Sequence, residues 1–124
     1  MTDLKVVIPT NCHLWKKEVL VPEDLSTLIE VKGYLYDNHQ VRQLMKCSDC
    51  GQYYYKEFFE TEDWVGGNDP QYRTYIPVDP TDATIDSLNA QDFLAIHDNK
   101  PRLLDDWLAD NTRTVKWVGR DQDK

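Results

Sequence analysis

Residues 46–77 read KCSDCGQYYYKEFFETEDWVGGNDPQYRTYIP, and this stretch decides the fold that the sequence predicts. It opens with Cys47-Ser-Asp-Cys50-Gly51, in which two thiols are separated by two residues and followed by a glycine. The run of tyrosine and phenylalanine that follows favours a strand. Residues 66–70, GGNDP, indicate a loop, and residues 72–76 are expected to return as a second strand. The stretch therefore predicts a tight turn that presents two thiols, followed by a β-hairpin.

Short helices are predicted on both sides of this hairpin. Pro22 is typical of a helix start, the acidic residues after it suit the helix dipole, and Gly33 is a plausible stop. A second helix is expected from Asp86 to about His97. A third is expected over residues 100–110, where a strand through Leu103 and Leu104 is the alternative. Strands are expected over residues 34–36, 41–46, 52–64, 72–76 and 112–119, and an extended segment over residues 14–21.

The net charge of −8 is unevenly distributed. Residues 57–110 hold 13 acidic and 3 basic residues, a net charge of −10, so the rest of the chain is slightly positive. Such an acidic segment repels phosphate backbones and favours a cationic partner. Direct nucleic-acid binding needs clustered lysine and arginine. In this sequence such clustering does not go beyond the pair Lys16-Lys17. The composition therefore points to protein binding rather than nucleic-acid binding.

The three cysteines are an odd number, which does not suit a disulfide framework. The first nine residues show no signal-peptide pattern, and no apolar run approaches the length of a membrane span. A reducing, cytoplasmic location is expected, and there a CxxC pair more often binds metal or does redox chemistry than forms a structural disulfide.

The sequence predicts a zinc site built on Cys47 and Cys50, because Zn²⁺ prefers four thiolate or imidazole ligands in a tetrahedron. Cys12 is the natural third ligand. His39 is preferred as the fourth and His13 is the substitute, because neighbouring Cys12 and His13 side chains are expected to diverge. Two alternatives are open. The thiols could be reduced and metal-free, or they could form a redox pair, although that motif normally opens a helix.

The acidic, aromatic segment after the turn is a candidate partner-binding surface. A solvated strand edge is the simplest interpretation, since charges discourage edge-to-edge pairing. The functional interpretation is a docking surface for a basic protein. Paired carboxylates could also serve a small hydrolase, which would need a defined cleft. The candidate partner-binding residues are Glu57, Glu60, Glu62, Asp63, Trp64 and Tyr72.

The CxxCG turn and the motifs after it resemble a pattern in small uncharacterised bacterial proteins of zinc-ribbon type. The residues that carry the resemblance are Cys47, Cys50-Gly51-Gln52, Tyr54, Glu57, Glu60, Asp63-Trp64, Gly67, Asp69-Pro70-Gln71-Tyr72 and Ile76-Pro77-Val78. The resemblance implies a zinc knuckle followed by a hairpin and carries no activity. The chain departs from a standard ribbon because it has no second CxxC.

The sequence predicts one α+β domain over residues 1–124, with a mostly antiparallel sheet, a zinc-ribbon-like knuckle and two or three short helices. The predicted function is a non-enzymatic, acidic, zinc-binding interaction module, for example an immunity or antitoxin-like inhibitor of a basic toxin, with zinc in a structural role. The alternatives are a zinc-ribbon regulator of transcription or translation and a small metal- or carboxylate-dependent hydrolase.

Overall fold

The computed structural model describes residues 7–36, 40–60, 70–81, 101–108 and 112–118. Within these residues, antiparallel strands form one six-stranded sheet in which every strand pairs with its neighbour in sequence. The strands are β1 (Leu28–Tyr36), β2 (Gln40–Cys47), β3 (Tyr53–Glu60), β4 (Gln71–Val78), β5 (Arg102–Trp107) and β6 (Arg113–Val118). Before β1 lie the helical turn α1 (His13–Lys16) and a 3₁₀ helix (Pro22–Thr27).

The predicted α+β class is wrong, because the described residues form an antiparallel sheet whose only helices are these two short segments. Pro22 does start a helical segment, but that segment ends at Thr27 and β1 begins at Leu28. The β-branched Ile29 and Val31 favour the strand. Gly33 lies inside β1, beside a register shift, rather than at a helix stop. No helix among the described residues is long and apolar enough to cross a membrane.

The other predicted elements have mixed outcomes. The hairpin after the CxxCG turn is confirmed, since β3 pairs with β4 along its whole length. The strand alternative at Leu103 is right and the helix over residues 100–110 is wrong, because β5 pairs with both β4 and β6. The start of the extended segment predicted over residues 14–21 is helical in α1. The helix predicted over residues 86–97 lies outside the described residues.

The sheet has a hydrophobic cluster on each face. On the face that we call the front, a strap formed by residues 7–27 packs across the strands. Cys12, Leu14 and Leu25 of the strap are buried against sheet residues Met45, Cys47, Tyr54, Tyr75, Leu103 and Val115. On the back face, the buried residues are Leu44, Tyr55, Ile76 and Val78.

Backbone and indole contacts fix the path of the strap. At its beginning, the Val7 amide donates to the Pro77 carbonyl at 3.0 Å. In its middle, Trp117 Nε1 donates to the Leu14 carbonyl at 2.7 Å, and the Trp117 ring meets Trp15 edge-to-face at 4.8 Å. At its end, the Ser48 amide donates to the Thr27 carbonyl at 2.8 Å. These contacts place Cys12 and His13 beside the turn between β2 and β3.

A buried ion pair joins β2 to β3 on the back face. Arg42 and Glu57 are cross-strand partners, and both are less than one-tenth exposed. Arg42 Nε donates to Glu57 Oε2 at 2.9 Å, and Gln40 Nε2 donates to the same oxygen at 2.8 Å. Glu57 was a candidate for partner binding, but its carboxylate is engaged inside the protein. It is therefore not part of an accessible acidic surface.

Removing one member of this pair should destabilise the fold strongly. We expect Glu57→Ala to lower the free energy of unfolding by about 3–5 kcal/mol, because it removes the buried carboxylate to which Arg42 donates. Urea denaturation measures the change, with the exposed Glu18→Ala as a control that should stay within about 0.5 kcal/mol of wild type. The Arg42→Met/Glu57→Met double variant should recover most of the loss. A loss below about 1 kcal/mol for Glu57→Ala would contradict this account of the pair.

Candidate metal centre

The turn between β2 and β3 presents Cys47 and Cys50 as the sequence predicts. The Gly51 amide donates to the Cys47 carbonyl at 2.8 Å, and the Cys47 amide donates to the Gln52 carbonyl at 2.8 Å. Gly51 has φ +86°, a conformation that favours glycine. The amides of Asp49 and Cys50 point at the Cys47 sulfur. The turn thus supplies two thiols and directs N–H donors towards one of them.

The strap brings Cys12 and His13 to the same place. Cys12 has extended backbone angles, φ −86° and ψ 134°, and His13 is the first residue of α1. Cys12 Sγ, a ring nitrogen of His13 and Cys47 Sγ lie within 4.8 Å of one another. The expectation that adjacent Cys12 and His13 side chains diverge is wrong, because the backbone changes from extended to helical between them. His39, the preferred fourth ligand, lies outside the described residues.

Cys50 completes the group of thiols. Its thiol is near enough to influence the ionisation of both Cys12 and Cys47, but it is not among the donors that lie within 4.8 Å of one another. Cys12 and Cys47 are buried, whereas Cys50 is exposed. Three cysteines and one histidine therefore lie close together, a set of donors that could bind a metal ion.

The imidazole of His13 has one satisfied and one unsatisfied nitrogen. Nε2 lies 3.0 Å from the Asp24 carbonyl, which can only accept, so Nε2 carries the proton. In the neutral imidazole Nδ1 then bears the lone pair, and this nitrogen is buried without a hydrogen-bond partner. The Asp49 carboxylate lies 3.8 Å from it, beyond hydrogen-bonding distance. Metal-binding histidines commonly donate their second ring N–H to a carbonyl in this way, so the donor set fits a metal ion.

The pKa values of the two buried thiols are shifted in opposite directions. Burial raises the pKa of Cys12 to about 12, although the Leu14 amide donates to its sulfur. Burial also opposes ionisation of Cys47, but its hydrogen bonds with Thr27, at 3.3 Å, and with the amides of Cys50 and Asp49 prevail and lower its pKa to about 7. The Tyr54 hydroxyl is buried beside Cys12 and has no well-aligned partner. A cation here would favour the thiolate of Cys12, to which that hydroxyl could donate.

The candidate partner-binding residues do not form one surface where they are described. Glu57 and Tyr72 lie on the back face, where the Tyr72 ring stacks on Phe59 at 6.4 Å. Glu60 lies on the front face and accepts a hydrogen bond from Gln71 at 3.0 Å. Glu62, Asp63 and Trp64 lie outside the described residues.

Sequence reasoning missed three residues that surround the donor set. Thr27, Asp24 and Tyr54 contact Cys47, His13 and Cys12 respectively. No local motif marks them, since each meets its partner through the path of the strap over the sheet.

The chain was compared with protein-family models, with curated proteins and with solved structures, and no match was found in any of the three. The zinc-ribbon resemblance of the CxxCG turn therefore stays a prediction. In this fold the donors that join Cys47 and Cys50 come from the strap, not from a second hairpin. Function is inferred from the geometry of these side chains.

The three thiols should differ in accessibility. In metal-free protein, iodoacetamide should modify Cys50 at least about tenfold faster than Cys12 and Cys47, because the buried pair reacts only after local opening. Timed alkylation followed by peptide mass mapping measures the rates. In denaturant, the three rates should converge. Faster modification of Cys47 than of Cys50 in the folded protein would show that the lowered pKa of Cys47 outweighs its burial.

Proposed function

We propose that the protein is a non-enzymatic interaction module in which a structural Zn²⁺ holds the strap against the turn between β2 and β3. The proposed ligands are Cys12, His13, Cys47 and Cys50. The observation that carries the proposal is the buried, unpartnered Nδ1 of His13 beside two buried thiols. An unsatisfied buried nitrogen costs about 1–3 kcal/mol, and coordination would remove this cost.

The donor set supports a structural rather than a catalytic metal. Three thiolates and one imidazole complete a tetrahedron, whereas catalytic zinc keeps a position open for water or substrate. The groups around the donors support the same role. The Asp24 carbonyl orients His13, and Thr27 together with two backbone amides would stabilise the Cys47 thiolate. Metal binding would then contribute to folding, because the ligands come from segments far apart in sequence.

The ligand set can be tested by metal stoichiometry. We expect native mass spectrometry to find one Zn²⁺ per chain, absent in Cys47→Ser and His13→Ala, because each substitution removes a ligand. His39→Ala is the matched control and should retain the ion. Wild-type protein should also lose thermal stability on treatment with a chelator. Retention of zinc by His13→Ala together with its loss from His39→Ala would contradict the proposed set.

The proposed partner is a basic protein. An immunity or antitoxin-like inhibitor would bind a partner of this kind, a basic toxin. The support is the net charge of −8 and its concentration in residues 57–110. The proposed contacts are Glu60, which lies where β3 ends on the front face, and the residues Glu62, Asp63 and Trp64 that follow it in sequence. Tyr72 lies on the opposite face of the sheet and is left out of this surface. Glu57 is excluded from this surface by its ion pair with Arg42.

Partner binding is tested with charge-matched double variants. A basic protein co-purified with the tagged chain would be titrated with wild type, with Glu60→Ala/Glu62→Ala and with the control Glu18→Ala/Glu23→Ala. We expect the first variant to bind at least about tenfold more weakly at low salt and to show a shallower salt dependence, because opposite charges accelerate and stabilise docking. Glu57 is left unchanged, since its loss would destabilise the fold. Equal affinities and salt slopes for all three proteins would refute the acidic docking surface.

A further inference from the structure

The front face carries a second group of polar side chains, further along the strands than the strap. Lys56, Arg73 and Arg113 lie on this face of β3, β4 and β6. Phe58 and Arg73 are cross-strand partners, and so are Arg73 and Asp105. Lys56 is therefore a diagonal neighbour of Arg73, within reach of a long side chain. The described part of this face thus gathers three cations in a protein whose net charge is −8.

Each of these cations lies over an aromatic ring. Such contacts hold a cation in place through the ring quadrupole but do not neutralise its charge. The distances to the ring centroids are 5.7 Å for Lys56 over Tyr75, 5.0 Å for Arg73 over Phe58 and 5.2 Å for Arg113 over Trp107.

The buried carboxylate of the group, Asp105, is already hydrogen-bonded to Arg113. Asp105 is 1% exposed, and both of its oxygens accept from Arg113, Oδ1 from Nε at 2.9 Å and Oδ2 from Nη2 at 2.8 Å. This is a bidentate pair, the strongest arrangement that a carboxylate and a guanidinium form. Asp105 lies directly across from Arg73 in the sheet but makes its hydrogen bonds to Arg113 instead.

Arg73 is left with a neutral partner. Its Nη2 donates to Gln71 Oε1 at 3.0 Å, and Gln71 Nε2 donates in turn to Glu60 Oε2 at 3.0 Å. An amide, not the Glu60 carboxylate, therefore contacts the guanidinium. Nη1 of Arg73 is buried and has no hydrogen-bond partner.

Lys56 lies near both positive and negative groups. It is half-buried, and no ion pair to it is found among the described residues. Burial lowers the pKa of Lys56 and the charge of Arg73 lowers it further, while the Asp105 and Glu30 carboxylates act in the opposite direction. An anion placed between the two cations would relieve this repulsion and would satisfy the free guanidinium N–H groups.

We propose that Arg73 and Lys56 form a binding site for an oxyanion, a carboxylate or a phosphate group, on the front face of the sheet beside Phe58 and Tyr75. The unpartnered Nη1 of Arg73 supplies the donor, and Lys56 supplies a second positive charge. The aromatic rings hold both cations and reduce solvent screening of the bound anion. The proposal is independent of the zinc centre, whose donors come from the strap and the turn between β2 and β3.

The test is an amide NMR titration with sodium phosphate and, separately, with sodium acetate, each against sodium chloride at equal ionic strength. We expect saturable shifts at residues flanking Arg73 and Lys56 in wild type. Arg73→Gln and Lys56→Gln should each weaken binding at least about tenfold, as expected for the loss of one charged hydrogen bond. Lys46→Gln is the matched control, because Lys46 also lies over a tyrosine, Tyr53 at 5.5 Å, but on the back face.

Two further results complete the test. Arg73→Lys keeps the charge and loses the planar fork, so it should bind between wild type and Arg73→Gln. Saturation by both anions would identify a carboxylate-type site, and saturation by phosphate alone a phosphoryl site. Shifts that rise linearly with either salt, as with chloride, would overturn the proposal. Equal affinities for wild type, Lys56→Gln and Arg73→Lys would overturn it as well.

Discussion

The contact between the strap and the turn after β2 is the constraint on which the front of this protein depends. The strap has one turn of α1 and a short 3₁₀ helix, too little regular structure to be stable by itself. Its position is set by tertiary contacts at its beginning, middle and end. Only with the strap in place are Cys12 and Leu14 buried against the sheet. The same packing brings Cys12 and His13 beside Cys47, so burial of the strap also assembles the donor group.

The sequence predicts the thiols of this donor group, Cys12, Cys47 and Cys50, but prefers His39 to His13 as the histidine beside them. A CxxCG turn is specified by its own residues, since Gly51 supplies the positive φ and the two thiols follow from their spacing. The position of His13 beside Cys12 and Cys47 depends on a change in backbone conformation after Cys12, which no spacing rule encodes. The failed helix after Pro22 has a similar origin. Its start signal is real, but pairing of β1 with β2 outweighs helical propensity from Leu28 onward.

Charge composition does not show which individual charges are accessible. A count of acidic residues treats Glu57 as solvated, yet Arg42 lies across from it on the neighbouring strand and both are buried. The same count hides Arg73, because its segment is acidic overall. Strand alternation in β3 does place Lys56 and Glu57 on opposite faces. Which charges meet is decided by the register between strands, and the sequence does not state that register.

The buried ion pairs provide a physical reason why one register is selected. Both faces of this sheet bury apolar side chains, so hydrophobic alternation alone discriminates weakly against a slip of one residue. A slip of β2 against β3 would separate Arg42 from Glu57, and a slip of β5 against β6 would separate Asp105 from Arg113. Each would separate a buried carboxylate from the guanidinium that donates to it, at a cost of several kcal/mol. The pairs add little net stability to the correct sheet and penalise the incorrect ones, which is how they specify the arrangement that carries the site.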